Sequence, residues 1–266
     1  MNILEQIVDH KREEVASRKR ATKLSTLADS EYFGRIPVSL IRSLGSHPLF
    51  GIIAEIKRAS PSAGSLKSGF NPADLACTYQ EHGAAGISVL TDERFFSGSL
   101  NDVITVRAAV RLPILQKDFI LDEYQLFEAK SAGSDAVLLI ATVLEKRQLQ
   151  DLHAAAKDLG LETLVELYES HEIDKLDLDE MKFIGVNNRD LRTFTVDLNR
   201  TVEMAQLLPK GITLVSESGI TTTEDLKNLH DHGIHSALVG EHLMKANRPG
   251  KALADLLEGL KRETTS

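Results

Sequence analysis

Eight short apolar runs rich in β-branched residues, each followed by a longer stretch with helical spacing, constrain this chain more than any other feature. The runs are FGIIAEI (50–56), GISVL (86–90), LPILQ (112–116), DAVLLI (135–140), ETLVEL (162–167), KFIGV (182–186), ITLVS (212–216) and SALVG (236–240). Each has the length and composition of a buried strand. The stretches between them have helical spacing, as in Ala73, Ala76, Tyr79 and Gln80, or Leu144, Leu149, Leu152 and Ala156. Four close on a glycine, at His82-Gly83, Ala132-Gly133, Leu159-Gly160 and His232-Gly233, where a left-handed residue ends a helix. Strands joined through helices are parallel. Eight of them predict a closed α/β barrel, a single (β/α)8 (TIM) barrel; the competing arrangement is a doubly wound open sheet. No glycine-rich dinucleotide fingerprint follows the first run, which favours closure.

The length of 266 residues suits one barrel, which commonly needs about 250. No internal Pro, Gly or Ser-rich linker divides the chain, so one domain is expected: residues 49–266 as the barrel and 1–48 as an N-terminal helical extension. In that extension Asn2 is placed to cap a helix with Ile3, Ile7, Val8 and Val15 as its apolar stripe and KREE on its wet face. The extension is read as a cover for the bottom or edge of the barrel.

Composition excludes several functions. No apolar run approaches the ~20 residues of a membrane span, and the first residues resemble neither a secretory signal nor a transit peptide. The single cysteine, Cys77, cannot form an internal disulfide and fits a reducing cytoplasm. Lysine and arginine number 31 against 39 acids, a net charge of −8, so no nucleic-acid partner is expected. An anionic small-molecule substrate would have to be met by a few local cations and backbone N–H groups.

The informative residues are charges at the C-terminal tips of the runs. Side chains alternate faces along a strand. Glu55 and Lys57 therefore point into the barrel if Ile56 faces the helices. Lys117 follows on the face of Leu115, Glu166 on that of Leu164, and Glu217 on that of Val215. Asn187 and Arg189 follow the sixth run. A lone Glu–Lys pair could be an internal ion pair. Polar groups at the same end of five strands, however, mark the end where barrel enzymes carry their active sites. Lysines and glutamates together suit proton transfer; a lysine Schiff base keeps aldolase-type chemistry open. His153, His171, His230, His232 and His235 are expected at the opposite rim, and no metal set is evident.

Two later segments have the form of a phosphate site. SESGI places Ser218 and Gly219 beyond the seventh run, and LVGEHLM places Gly240 at the start of a short helix. Loop 58–71 is long and rich in Ser and Gly, as lids are.

These pieces resemble the indole-3-glycerol phosphate synthase family. The matching segments are IIAEIKRASPSAG (52–64), ISVLTDERFFSGS (87–99), LPILQKDFILD (112–122), LVELYES (164–170), IGVNNRDLRTFTVDL (184–198), VSESGI (215–220) and LVGEHLM (238–244). The resemblance extends over nearly the whole chain. It implies a decarboxylating, dehydrating ring closure of 1-(2-carboxyphenylamino)-1-deoxyribulose 5-phosphate to indole-3-glycerol phosphate, CO2 and water, with no cofactor. It assigns Lys117 as the general acid, kept protonated by a neighbouring carboxylate. Glu55 and Glu166 serve the dehydration, their acid and base roles left open, with Lys57 an alternative acid. Lys57 and Arg189 would hold anionic groups, Asn187 would orient the substrate or a lysine, and Glu217 would fix the site. Ser218, Gly219 and Gly240 are the phosphate candidates, and Ser60 would shape the first loop.

Departures are few: Gln116 precedes Lys117, and Glu241 and His242 stand where some relatives carry a phosphate-binding serine. The fused isomerase barrel of some relatives is not expected here. A monomer or weak homodimer is expected, with association with other tryptophan-pathway enzymes as a further expectation. The alternatives are another sugar-phosphate barrel enzyme, such as phosphoribosylanthranilate isomerase, and a non-catalytic phosphate-binding barrel.

Overall fold

In the computed structural model, which describes residues 3–61, 64–66, 69–190 and 193–261, all eight runs become strands. They are β1 (Gly51–Ile56), β2 (Gly86–Leu90), β3 (Ile114–Lys117), β4 (Ala136–Ile140), β5 (Glu162–Leu167), β6 (Phe183–Asn187), β7 (Thr213–Glu217) and β8 (Ser236–Val239). Each pairs in parallel with its sequence neighbours, and β1 closes on β8 through Gly51↔Ser236 to Ala54↔Val239. The chain is a (β/α)8 barrel with a helical N-terminus, as its pattern predicts. No helix among the described residues is long and apolar enough to cross a membrane.

Alternation sorts the strand residues between two environments. Ile53, Leu115, Leu138, Leu164, Phe183, Val215 and Leu238 pack together inside the barrel. Ile52, Ala54 and Ile56, like Val137 and Leu139, pack outward against the helices. Glu55, Lys117, Glu166, Asn187 and Glu217 continue the inward register toward the C-terminal rim.

The helices are α1 (Ile3–Ala21), α2 (Leu24–Ala28), α3 (Leu40–Gly45), α4 (Pro72–Glu81), α5 (Glu93–Phe96), α6 (Leu100–Ala109), α7 (Glu123–Ala132), α8 (Lys146–Asp158), α9 (Asn199–Leu207), α10 (Thr223–Asp231), α11 (Glu241–Lys245) and α12 (Pro249–Lys261). The four helix-closing glycines are left-handed, with φ of 92° at Gly83, 89° at Gly133, 73° at Gly160 and 78° at Gly233. The fifth βα unit departs from the pattern: only a 3-10 helix, Ser170–Lys175, joins β5 to β6. Glu172 turns back there and accepts hydrogen bonds from Tyr168 N, Glu169 N and Thr142 Oγ1. His171 consequently follows β5 on the C-terminal side of the barrel, a correction to its expected place at the opposite rim.

The N-terminal helices divide between the two ends. Leu40 and Leu44 of α3 plug the bottom, packed with the interior set of Ile53 and Phe183. Glu162, the first residue of β5, accepts from Ser39 Oγ (2.5 Å), Leu40 N (2.8 Å) and Ile41 N (3.0 Å). A carboxylate at a helix N-terminus is favourably placed. Helix α1 instead lies at the C-terminal rim, where Ile3, Leu4 and Ile7 reach the cavity; the expected cover for the bottom or edge is supplied by α3, and by α2 against α7. Lys11, expected on the wet face of α1, has no exposed surface. The capping expectation for Asn2 lies outside the described residues.

Candidate active site

The C-terminal rim opens into a cavity of about 490 Å³. All the residues singled out from the sequence line it: Glu55, Lys57, Ser60, Lys117, Glu166, Asn187, Arg189, Glu217, Ser218, Gly219 and Gly240. Glu55, Lys117, Glu166, Asn187 and Glu217 come from five separate strands and converge because each continues the inward register toward the C-terminal rim; the others follow in the loops just beyond the strands.

Lys117 is the centre of the polar wall. Its Nζ donates to Glu166 Oε2 (3.0 Å) and to Glu217 Oε2 (2.8 Å). Burial works against its charge, but Glu166, Glu217 and Glu55 more than offset that, so its pKa lies above that of an ordinary lysine. Glu217 is pushed up: burial dominates, the charges of Glu166 and Glu55 add, and Lys117 opposes them. Its Oε1 has no hydrogen-bond partner among the described residues. One ammonium between two buried carboxylates, one of them inclined to hold a proton, is a compact proton store.

Lys57 Nζ lies 2.6 Å from Glu55 Oε1. Asn187 was expected to orient the substrate or a lysine. Its Nδ2 donates to Glu166 Oε1 (3.3 Å), and its Oδ1 accepts from Arg189 N. The Arg189 guanidinium is 2.9 Å from Glu241 Oε2, and Glu241 Oε1 takes Lys245 at 2.6 Å. Lys245, then Arg189 and Lys57, hold the Glu241 carboxyl below its usual range, against the effect of burial. Each of these cavity cations is thus already paired with a carboxylate, and an incoming anion must compete for them.

Three glycines make the site possible in ways the sequence reading did not anticipate. A β-carbon at Gly185 would lie 2.0 Å from Glu217 Oε1, and one at Gly240 would lie 2.2 Å from Glu55 Oε1. These glycines leave the space that the two buried carboxylates occupy. After β7 the chain turns through Ser218 (φ 68°) and Gly219 (φ 87°), and a β-carbon on Gly219 would strike Val196. Consecutive left-handed residues are costly except at glycine. Asn188, also missed, pins this turn: buried, it donates to Ser216 Oγ, Glu217 O and Ser218 O, and accepts from Thr201. Its sequence signal is the Asn187-Asn188 pair, of which only Asn187 falls on the inward register.

The opposite wall is apolar. Ile3, Leu4 and Ile7 of α1 meet Phe96, Phe119, Leu138 and Ile140 there. His242 and Lys245 of α11 also line the cavity. Ser60 lies in a two-residue antiparallel pairing, Ala59↔Ser65 and Ser60↔Gly64. Arg58, beside it, is bound by Asp102 and stands 5.2 Å over the ring of Phe70. The lid expectation for 58–71 falls partly on residues 62, 63, 67 and 68, outside the described residues. Among the described residues, no group of three His, Cys, Asp or Glu side chains is arranged to hold a metal ion.

Comparison with known proteins bears on this cavity. A family model described as indole-3-glycerol phosphate synthase matches residues 4–256. The protein of that name from Salinibacter ruber is 48% identical over 258 residues, covering 96% of this chain and 95% of the relative. Those from Carboxydothermus hydrogenoformans and Albidiferax ferrireducens are 44% and 43% identical, each over 96% of this chain and 99% and 98% of their own. Among solved structures, the tryptophan synthase subunit alpha from Legionella pneumophila superposes with a TM-score of 0.62 at 13% identity, over 84% of this chain and 97% of that one. That likeness speaks to the barrel alone. Identity of this level, sustained from end to end, settles the lineage: the chain belongs to the indole-3-glycerol phosphate synthase family.

Proposed function

We propose that this enzyme closes the indole ring of indole-3-glycerol phosphate with Lys117 as the general acid. The family are carboxy-lyases of tryptophan biosynthesis, and their small-molecule substrate carries a phosphate. The observation that carries the assignment is the ammonium of Lys117 held between Glu166 and Glu217 at the floor of the cavity.

The reaction makes three demands. The ring carbon bearing the carboxylate attacks the ketone carbon, and the ketone oxygen must gain a proton. Lys117, charged and partly desolvated, donates it. Loss of CO2 then returns the electron pair to the ring and restores aromaticity. Finally the new hydroxyl leaves as water while the adjacent carbon loses a proton. Glu55, Lys57 and Glu166 are the acid and base groups for that step. The Lys57–Glu55 pair and the Lys117–Glu166 pair present a proton donor and an acceptor from neighbouring walls.

Binding follows the polarity of the cavity. The apolar wall of Ile7, Phe96, Phe119 and Ile140 takes the aromatic ring. The N–H groups at Ser218, Gly219 and Gly240 receive the phosphate, and Lys57 and Arg189 receive anionic charge. Asn187 holds Glu166 in place, and Ser60 shapes the loop above Lys57. We assign the enzyme to the cytoplasm, a reading supported by its single cysteine, Cys77. The test is product analysis with the carboxyphenylamino substrate. CO2 and indole absorbance should grow together in equal amounts. A folded sample that releases no CO2 anywhere between about pH 6 and 9, the range in which such acid–base groups operate, would overturn the reading.

A further inference from the structure

Outside the acid–base groups, a buried lysine stands behind the apolar wall of the cavity. Lys11 of α1 has no exposed surface. Its Nζ lies 2.9 Å from Asp92 Oδ2, 2.9 Å from Asp118 Oδ1 and 3.0 Å from Glu14 Oε2. Burial lowers its pKa, but Asp118, Asp92 and Glu14 reverse that and leave it raised, so the residue stays charged.

A lysine is a poor choice merely to hold a helix against a barrel. An apolar side chain of similar volume serves as well or better, because a buried ion must first be desolvated. What an ion adds is a fixed position relative to named partners. Here the partners are two rim loops that build the cavity. Asp92 follows β2 and caps α5, accepting from Phe95 N at 2.7 Å; the next residue, Phe96, lines the cavity. Asp118 directly follows Lys117. It accepts from Phe119 N (2.8 Å) and from Thr91 Oγ1 (2.6 Å), and Phe119 lines the cavity. Ile7, one turn before Lys11 on α1, forms the third part of the same wall.

We propose that Lys11 is a positioning residue of the active site, tying α1, the α5 turn and the tip of β3 into one apolar wall set against Lys117. The inference rests on the cavity being the site of ring closure. Lys11 does not touch the reacting atoms; it decides where Ile7, Phe96 and Phe119 stand.

The experiment compares the parent chain with Lys11→Met and Asp92→Asn, measuring kcat and KM per folded molecule, with folding followed by circular dichroism. Asparagine at 92 keeps the cap on α5 and removes one of the charges facing Lys11. For Lys11→Met we expect KM to rise about tenfold while kcat falls less than about threefold. Asp92→Asn should show the same split at about threefold in KM. A purely structural lysine would reduce the folded fraction and leave KM per folded molecule unchanged. The proposal fails if KM stays within about twofold in both variants. If Lys11→Met does not fold, Asp92→Asn decides alone by the same criterion. Turnover by the parent chain in the same assay separates failure of this proposal from failure of the ring-closure reading.

Discussion

The two ends of the barrel both bury charge, and they handle it differently. At the bottom, Asp135 is fully buried and accepts from Arg35, Arg107, Val38 N and Ile114 N, between 2.5 and 2.9 Å. Glu162 is likewise saturated by the start of α3. Arginines and backbone N–H groups serve there, and neither moves a proton near neutral pH. At the rim the cations nearest the buried carboxylates are lysines beside open space, Lys57 on Glu55 and Lys117 shared by Glu166 and Glu217, and Glu217 Oε1 is left without a partner among the described residues. The bottom carboxylates have donors on both oxygens, although Arg35 Nε beside them has no partner among the described residues; at the rim it is a carboxylate oxygen that is left open.

That contrast can be broken from either end. The largest effect should come from Asp135→Asn, which leaves the buried Arg107 without its carboxylate. A stability loss of about 3 kcal/mol in denaturant unfolding is expected, with kcat per folded molecule unchanged. A fall in kcat on that scale would mean that the bottom network reaches the chemistry.

Glu128 of α7, 3.1 Å from Arg18, sharpens the comparison on the flank of α1. Burial, helped by Asp118 and Glu14 and opposed by Arg18 and Lys11, pushes its carboxyl up to about 7 from an ordinary 4.5. The folded protein therefore binds the extra proton between those values. Stability should fall as pH rises through that window and level off above it, by at most about 1.4 kcal/mol per pH unit. Glu128→Gln should flatten this slope and bring the Tm values at low and neutral pH closer by a few degrees. An unchanged slope in that variant would remove Glu128 as its source.

The smallest effect belongs to Glu241, which occupies Arg189 and Lys245. Glu241→Gln should lower KM about threefold at low salt and less at high salt, since partly exposed charges are screened. A raised KM would show that the carboxylate helps to place the substrate.

Much of this was legible in the residues. Period-two alternation placed Glu55, Lys117, Glu166 and Glu217 on the inner face, and β-branched runs with helix-ending glycines specified the barrel. Boundaries shifted by a residue or two, as at β3, which starts at Ile114 beyond Pro113, a residue with no N–H to donate. What could not be read was long-range geometry. The stripe of α1 identified its apolar face but not which end of the barrel receives it. Lys11 read as solvated because two of its three carboxylates, Asp92 and Asp118, come from distant parts of the chain. Gly185 carried no signal in its strand, and Gly240 read only as a phosphate-loop glycine, because the carboxylates that need their space belong to other strands.

The central claim is that Lys117 sits at the rim for chemistry rather than for stability. The most direct test is Lys117→Met, assayed for CO2 release per folded molecule and for stability in the same preparation. The account predicts a loss in kcat of at least about 10²-fold, with unfolding stability equal to or above that of the parent. Near-parental turnover, or a variant that loses stability while keeping its rate, would contradict it.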